Sequence, residues 1–124
     1  MSLLLDTHVL LWLAAGDPRL GPRTQAAVLG AQSHVSAISV WEIAIKSATG
    51  RLTATGLDAV LEAQDFPELS FTGQHGREAG ALPPHHRDPF DRALIAQARA
   101  EGLVLATADR RLQAYDVALL DASR

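Results

Sequence analysis

Short apolar segments alternate with helix-forming segments along the whole chain, and this alternation restricts the fold more than any other feature of the sequence. The apolar segments predict strands at 3–5, 34–38, 69–71, 103–106 and 117–120. Between them, helices are predicted at 7–15, 22–32, 39–50, 57–64, 74–81 and 89–101, with a helical turn at 108–114. Strands that alternate with helices form βαβ units, in which helices cover both faces of a parallel sheet. The pattern therefore predicts an α/β fold with a short, mainly parallel central sheet.

Length and composition narrow the possible functions. A chain of 124 residues is long enough for one domain and too short for two, so we expect a single domain over residues 1–124. The absence of cysteine excludes disulfides, zinc–thiolate sites and thiolate catalysis. Because the formal net charge is −3, any binding of nucleic acid has to be local or assisted by a metal ion.

The longest apolar stretch, Val9 to Ala15, is too short for a membrane span, which needs about 20 residues. The first residues also lack the basic start of a signal peptide, so we expect no membrane and a cytoplasmic location.

Four carboxylates are predicted at one edge of the sheet. Asp6 and Asp109 follow predicted strands, whereas Glu42 and Asp91 lie in the first turns of helices that leave the same edge. Asp88 lies one turn before Asp91 and could join them. Crowded carboxylates repel one another unless a cation joins them, and hard divalent cations such as Mg²⁺ prefer oxygen ligands. The spacing is therefore compatible with a shared metal site.

Each of these acids also has a purely structural explanation. Acids at helix starts accept hydrogen bonds from free backbone N–H groups and interact favourably with the helix dipole. Ser39 and Glu42 have the spacing of a capping box, and Glu42–Lys46 and Asp88–Arg92 have that of favourable helical pairs. The positions of the acids alone leave both explanations open.

Basic side chains flank the same acids. They are Arg87, Arg92, Arg110 and Arg111. These arginines either hold a phosphate backbone or belong to ordinary solvated surface. The neighbouring His85 and His86 could bind a transition metal, but an adjacent pair in a proline-rich loop more often has a surface or packing role.

Four segments carry a family resemblance through their order and spacing. They are 5–8, 39–43, 86–98 and 106–109. Together they resemble the PIN-domain ribonucleases, and within these the VapC-type toxins of bacterial toxin–antitoxin modules. The block from Asp88 to Arg92, followed by an apolar helix, is the most specific of the four. The resemblance extends from Leu3 to about Leu120.

The resemblance implies a three-layer α/β/α sandwich and an endoribonuclease that depends on Mg²⁺, with Mn²⁺ as a substitute. The acidic metal-binding set of the family matches Asp6, Glu42, Asp91 and Asp109. Accessory candidates are Thr107 at a hydroxyl position near the metal, Thr7 in a similar place, Asp88 and Arg92. The resemblance also implies an RNA substrate, a homodimer, and a cognate antitoxin that inserts a helix or an extended tail near the site.

The hypothesis that follows is hydrolysis of RNA phosphodiesters by metal-activated water at the four carboxylates. One alternative is another metal-dependent nuclease or a phosphatase. His8 argues against a haloacid-dehalogenase-type phosphatase, which would have a second Asp two residues after Asp6. The other alternative is a non-catalytic α/β binding module whose acids only cap helices.

Overall fold

The apolar run at the start of the chain forms the central strand of a five-stranded sheet in the computed structural model, which describes residues 1–124. The strands are β1 (Ser2–Leu5), β2 (Gln32–Ser36), β3 (Glu68–Leu69), β4 (Val104–Thr107) and β5 (Leu119–Asp121). The helices are α1 (Thr7–Ala15), α2 (Pro22–Gly30), α3 (Ala37–Ala48), α4 (Leu57–Gln64), α5 (Gly73–Ala81) and α6 (Pro89–Glu101). A 3-10 helix at Arg110–Ala114 follows β4.

All four strand pairings are parallel, and the strand order is β3-β2-β1-β4-β5. The chain therefore continues from β1 to one side of the sheet and later returns to place β4 on the other side. Such a change of direction opens a crevice beyond the carboxyl ends of the two adjacent strands, where parallel sheets bind their ligands. The predicted α/β fold with a parallel central sheet is confirmed.

The core has two parts, one on each face of the sheet. Leu3 and Leu5 belong to a cluster that includes Val9 and Leu10 of α1, whereas Leu4 belongs to a second cluster with Leu94 of α6. Successive side chains of a strand point to opposite faces, so a strand buried on both faces must be apolar throughout. Full burial of each leucine stabilises the fold by about 1.5–3 kcal/mol.

Local signals define both ends of α6. The Asp88 carboxylate accepts a hydrogen bond from the Phe90 N–H at 2.8 Å, and Pro89 occupies the first helical position. Gly102 ends the helix in the left-handed conformation, with φ of 65°. These ends agree with the sequence prediction.

The start of α3 differs from the prediction. Strand β2 ends at Ser36 rather than at Ile38, and the Ser36 hydroxyl oxygen accepts the Ile38 N–H at 3.0 Å as the helix cap. The predicted capping box of Ser39 and Glu42 is therefore wrong, and Glu42 lies in the second turn. Ser39 is buried inside the helix, where its hydroxyl group meets Thr7 of α1 rather than the backbone.

Other boundaries shift less. Helix α2 ends at Gly30 rather than near residue 32, and β5 covers Leu119–Asp121 rather than 117–120. No helix of the structure combines the length and the apolar character needed to cross a lipid bilayer.

Candidate functional site

The carboxyl ends of β1 and β4 meet at Asp6, which caps α1. Its backbone N–H donates to the Ala106 carbonyl of β4 at 3.0 Å. Its carboxylate accepts the Thr7 N–H and the Thr107 hydroxyl, each at 2.7 Å. The side chain is almost fully buried, and this burial raises the pKa of Asp6 above its usual value. Asp6 thus serves as a cap while carrying a carboxylate in the crevice of the sheet.

Glu42 approaches the same crevice from α3. The Thr7 hydroxyl donates to Glu42 Oε1 at 2.7 Å, and the Lys46 ammonium donates to Oε2 at 2.5 Å. Since a hydroxyl group has one proton, Thr7 must accept rather than donate in its 2.9 Å contact with Ser39. The predicted Glu42–Lys46 pair is confirmed, and this hydrogen bond raises the pKa of Lys46.

Asp91 and Asp109 face each other across His86. The His86 Nε2 atom lies 3.1 Å from Asp91 Oδ2 and 3.4 Å from Asp109 Oδ2. Asp91 lies in the first turn of α6, and Asp109 caps the 3-10 helix after β4. The ligand atoms of these three residues lie within 4.8 Å of one another, so the arrangement could hold a metal ion.

The two aspartates differ sharply in electrostatic environment. Burial, followed by repulsion from Asp6, Asp88, Glu42 and Asp109, raises the pKa of Asp91 to about 8. By contrast, hydrogen bonds from the Arg111 side chain lower the pKa of Asp109 to about 2. Four carboxylates thus repel the charged form of Asp91, whereas Asp109 has a cationic partner of its own.

Both explanations of the acids hold in part. Asp6, Asp88 and Asp109 do cap helices, as the structural explanation requires. Asp91 caps nothing, and its carboxylate has no Arg or Lys within ion-pair distance. Capping therefore does not account for Asp91.

The donor set fits a hard divalent cation. Its oxygens come from Asp91 and Asp109, and Asp6 and Glu42 are near enough to repel Asp91. Carboxylate oxygens are the ligands that Mg²⁺ and Mn²⁺ accept. Because its pKa is raised to about 8, the Asp91 carboxyl group keeps a proton near neutral pH when no cation is bound. A cation at this position would replace that proton. Because no Arg or Lys side chain within ion-pair distance offsets the repulsion at Asp91, a divalent cation is the ligand that this site suits.

His86 is the part of the site that the sequence analysis did not assign. The expected surface or packing role suits His85, which is exposed and packs its ring against Tyr115 at 5.2 Å. His86 is instead buried, with 8% of its surface exposed, between the two aspartates. The one available signal was its position two residues before Asp88, whose backbone N–H donates to His86 Nδ1 at 3.1 Å.

His8 also supports the site. Its Nε2 accepts the Ala108 N–H at 3.0 Å, which leaves the proton of the neutral ring on Nδ1. Nδ1 lies 3.6 Å from Asp6 Oδ2, and the electrostatic attraction of His8 partly offsets the effect of burial on the pKa of Asp6.

Arg92 stabilises the loop that precedes α6. Its guanidinium donates to backbone carbonyls around the loop that precedes α6, namely those of Ala79, Leu82, Pro83 and His86. The Asp88–Arg92 pair that the helical spacing suggests does not form, because these carbonyls already engage the guanidinium N–H groups. A phosphate contact by Arg92 stays a prediction. The side chain of Arg111 pairs with Asp109 at 2.8 Å, whereas Arg87 and Arg110 are exposed.

The chain matches the PIN domain family model over residues 3–118 and belongs to that family. The family resemblance of the sequence is therefore confirmed. No curated protein matches the chain significantly.

Several solved structures contain chains of similar fold. The VapBC2 complex of Rickettsia felis, bound to a promoter DNA fragment, has a chain with a TM-score of 0.73 at 13% identity, covering 97% of this chain and 98% of that one. DNA-bound VapBC of Salmonella typhimurium gives 0.71 at 16% identity, with 97% of both chains covered. The FitAcB structure of Neisseria gonorrhoeae gives 0.68 at 22%, covering 95% of this chain and 96% of that one.

Proposed function

We propose that this PIN-domain chain is a metal-dependent endoribonuclease and the toxin of a toxin–antitoxin pair. The observation that carries the proposal is Asp91, a largely buried carboxylate repelled by four others and provided with no cationic partner. Such an arrangement destabilises a protein unless a ligand relieves it, and clusters of this kind are typical of functional sites. A divalent cation is the ligand that these oxygen donors suit.

Asp6 and Asp91 would bind the ion most directly, with Glu42 and Asp109 as direct ligands or partners through water. When bound, Mg²⁺ lowers the pKa of water and offsets the charge that develops on a phosphodiester under attack. Thr107 orients Asp6 by its hydroxyl hydrogen bond, and Thr7 does the same for Glu42. Asp88 acts as the cap of α6 and adds negative charge near Asp91.

RNA would bind by local contacts, because the chain as a whole is acidic. Arg87 precedes the Asp88 cap, and Arg110 follows Asp109, so two exposed guanidinium groups flank the carboxylates. Guanidinium groups form paired hydrogen bonds with phosphate oxygens. The proposed substrate is therefore RNA whose phosphodiester reaches the carboxylates while its neighbouring phosphates contact these arginines.

The decisive experiment compares Asp6→Asn and Asp91→Asn with the parent protein on a labelled RNA in Mg²⁺. We expect each variant to lose about 1,000-fold or more in rate, a change of about 4 kcal/mol in the barrier. Asp58→Asn, an exposed acid on α4, is the matched control and should keep full activity. Full activity in both site variants would contradict the assignment of these carboxylates.

Two further measurements separate the alternatives. Parallel assays on RNA, DNA and a small phosphoester distinguish a ribonuclease from another nuclease or a phosphatase. Calorimetric titration with Mn²⁺ distinguishes an enzyme from a binding module, because a module whose acids only cap helices would bind no ion.

The toxin role predicts protein partners, and the surface beside the site supports one. Trp41 is 58% exposed and Phe71 is 38% exposed. Trp41 also packs edge-on against Phe90 at 5.4 Å between ring centres. Since Trp41 and Phe90 adjoin Glu42 and Asp91 in sequence, a protein bound on these two rings would restrict access to the carboxylates. We assign this surface to the antitoxin, because large exposed aromatic groups mark interaction sites.

Expression in cells tests the toxin role. We expect growth arrest that Asp91→Asn abolishes and that co-expression of the neighbouring small reading frame relieves. Trp41→Ala should arrest growth but respond less to the antitoxin, whereas Leu29→Ala, at another exposed apolar position on α2, should respond fully. The homodimer and the cytoplasmic location belong to the same proposal, and sedimentation velocity measures the first.

A further inference from the structure

We propose that His86 is a positioning residue that carries its proton on Nε2, donates it to Asp109 while it contacts Asp91, and does not bind the metal. This inference rests on the proposed role of the two aspartates as ligands. It opposes the simplest interpretation of the geometry, in which His86, Asp91 and Asp109 together form a three-ligand metal site.

The first step is the state of Nδ1. The backbone N–H of Asp88 points at this atom from 3.1 Å. A backbone N–H can only donate, so Nδ1 must accept and carries no proton. A neutral imidazole has one proton, which therefore resides on Nε2.

The second step concerns what Nε2 faces. Asp109 Oδ2 lies 3.4 Å away and accepts a hydrogen bond from Nε2, and Asp91 Oδ2 lies in close contact at 3.1 Å. An Nε2–H group is attracted by both oxygens, whereas the lone pair of an unprotonated Nε2 would be repelled by them. To bind a metal through Nε2, the ring would need its proton on Nδ1, where it would collide with the Asp88 N–H.

The third step is the rigidity of the ring's support. The His86 backbone N–H donates to the Tyr115 hydroxyl at 2.9 Å, and its carbonyl accepts from Arg92 at 3.2 Å. The Tyr115 hydroxyl in turn donates to the Pro83 carbonyl at 2.8 Å. Loop, helix and C-terminal segment thus fix the residue, and the burial of the ring prevents water from replacing it.

The consequence is a fixed spacing between two carboxylates that would otherwise move apart. Asp109 is already oriented by Arg111, whereas Asp91 has no polar partner except the His86 ring. The Nε2–H group, which donates to Asp109 and contacts Asp91, therefore sets the position of Asp91 relative to Asp109 before any ion binds. Hydrogen bonds that orient metal ligands in this way are typically worth about 10–100-fold in metal affinity or activity.

The test measures Mn²⁺ affinity by calorimetry for the parent protein, His86→Ala, His86→Asn and His86→Gln. A glutamine amide extends to about the position of Nε2 and can donate there, whereas an asparagine amide extends only to that of Nδ1. We expect His86→Ala and His86→Asn to bind Mn²⁺ about 10–100-fold more weakly, and His86→Gln to regain most of the affinity. His85→Ala, the exposed neighbour, is the control and should bind as the parent does.

Equal affinities in all variants would overturn the inference, as would a parent protein that binds no Mn²⁺. Nitrogen NMR of the unsubstituted protein tests it even if a variant fails to fold. We expect His86 Nε2 to keep its proton when Mg²⁺ saturates the site. Loss of that proton, or a directly coordinated nitrogen in pulsed electron paramagnetic resonance of bound Mn²⁺, would make His86 a ligand and refute the inference.

The experiments can refute the role of His86 and the proposed ribonuclease function independently of each other. A protein that binds Mn²⁺ with the expected order of affinities but cleaves no RNA would refute the ribonuclease and leave the role of His86 intact. A protein that cleaves RNA and is indifferent to His86 would do the reverse.

Discussion

Helix α6 carries two polar side chains, Gln97 in its middle and Asp91 in its first turn, whose interactions differ. In the middle, Gln97 is fully buried and fully paired, because its Oε1 accepts the Ser36 hydroxyl at 2.6 Å and its Nε2 donates to the Ser70 carbonyl at 3.2 Å. In the first turn, Asp91 is repelled by four carboxylates and has only a histidine as partner.

The difference separates stability from function along a single helix. The paired amide joins α6 to the end of β2 and to the residue after β3, and its apolar neighbours complete the core. The crowded carboxylate opposes folding when it is charged, and its repulsion is relieved by a proton or a cation. Four substitutions in and around α6 test this separation, from the largest expected effect to the smallest.

Leu94→Ala should have the largest effect on stability. Leu94 is fully buried in the cluster that joins α6 to the sheet, so its truncation leaves a cavity. We expect the free energy of unfolding to fall by about 2–5 kcal/mol, measured by urea denaturation. The Mn²⁺ affinity of the folded protein should stay unchanged, and a parallel loss of affinity would show that the two parts of the helix are not independent.

Gln97→Leu removes the paired amide without removing its volume. The Ser36 hydroxyl and the Ser70 carbonyl then lose a buried partner, which we expect to reduce the free energy of unfolding by about 1–3 kcal/mol. Gln113→Leu, at an exposed position, is the control and should change stability by less than about 0.5 kcal/mol. Equal effects at both positions would mean that the buried pairing is unimportant.

Asp91→Asn should act in the opposite direction in protein without divalent ions. The pKa of Asp91 is about 8 in the folded state and 3.8 without the fold. Between these values the folded state binds the extra proton, so its stability is present below the lower pKa and is lost as pH rises through the higher one. The variant has no such loss, and we expect it to be more stable by roughly 1–2 kcal/mol.

Thermal unfolding at several pH values measures this effect. The advantage of Asp91→Asn should grow from about pH 5 to about pH 9. Saturating Mn²⁺ should reverse the order, because only the parent protein binds the ion. A variant that is less stable at every pH would show that the carboxylate supports the fold.

Gly102→Ala should have the smallest effect of the four. Gly102 ends α6 with φ of 65°, a conformation that costs a residue with a side chain about 1 kcal/mol. Gly30, at the end of α2, has no positive φ and nothing within 4 Å of the position of an added Cβ, so Gly30→Ala should cost nothing. Equal melting temperatures for the two variants would contradict the assigned role of the conformation.

The prediction of the fold succeeded where the interactions are local. Asp88, Pro89 and Gly102 define the ends of α6 through contacts within a few residues, which the sequence displays directly. The start of α3 was mispredicted because two serines could cap it locally. A distant contact with Thr7 keeps Ser39 inside the helix, and no pattern near residue 39 signals that contact.

The same limit applies to the site. The edge at which the acids meet follows from the parallel sheet, so their proximity was predictable. The role of each side chain could not be predicted, because it depends on which side chains from other segments contact it. Arg111 reaches Asp109, Arg92 is taken by the carbonyls of a loop, and His86 lies against an aspartate 23 positions further along the chain.

The sequence by itself determined the layers of the sheet and helices and the edge to which the acids come, whereas the order of the strands came from the structure. The layers and this edge follow from apolar periodicity and from capping, which act within one or two turns of chain. Only the tertiary structure decided that Asp91 has no cationic partner while Asp109 has one, and that a buried imidazole lies between them. Charge repulsion and desolvation depend on distances in space between segments, and the order of residues does not specify those distances.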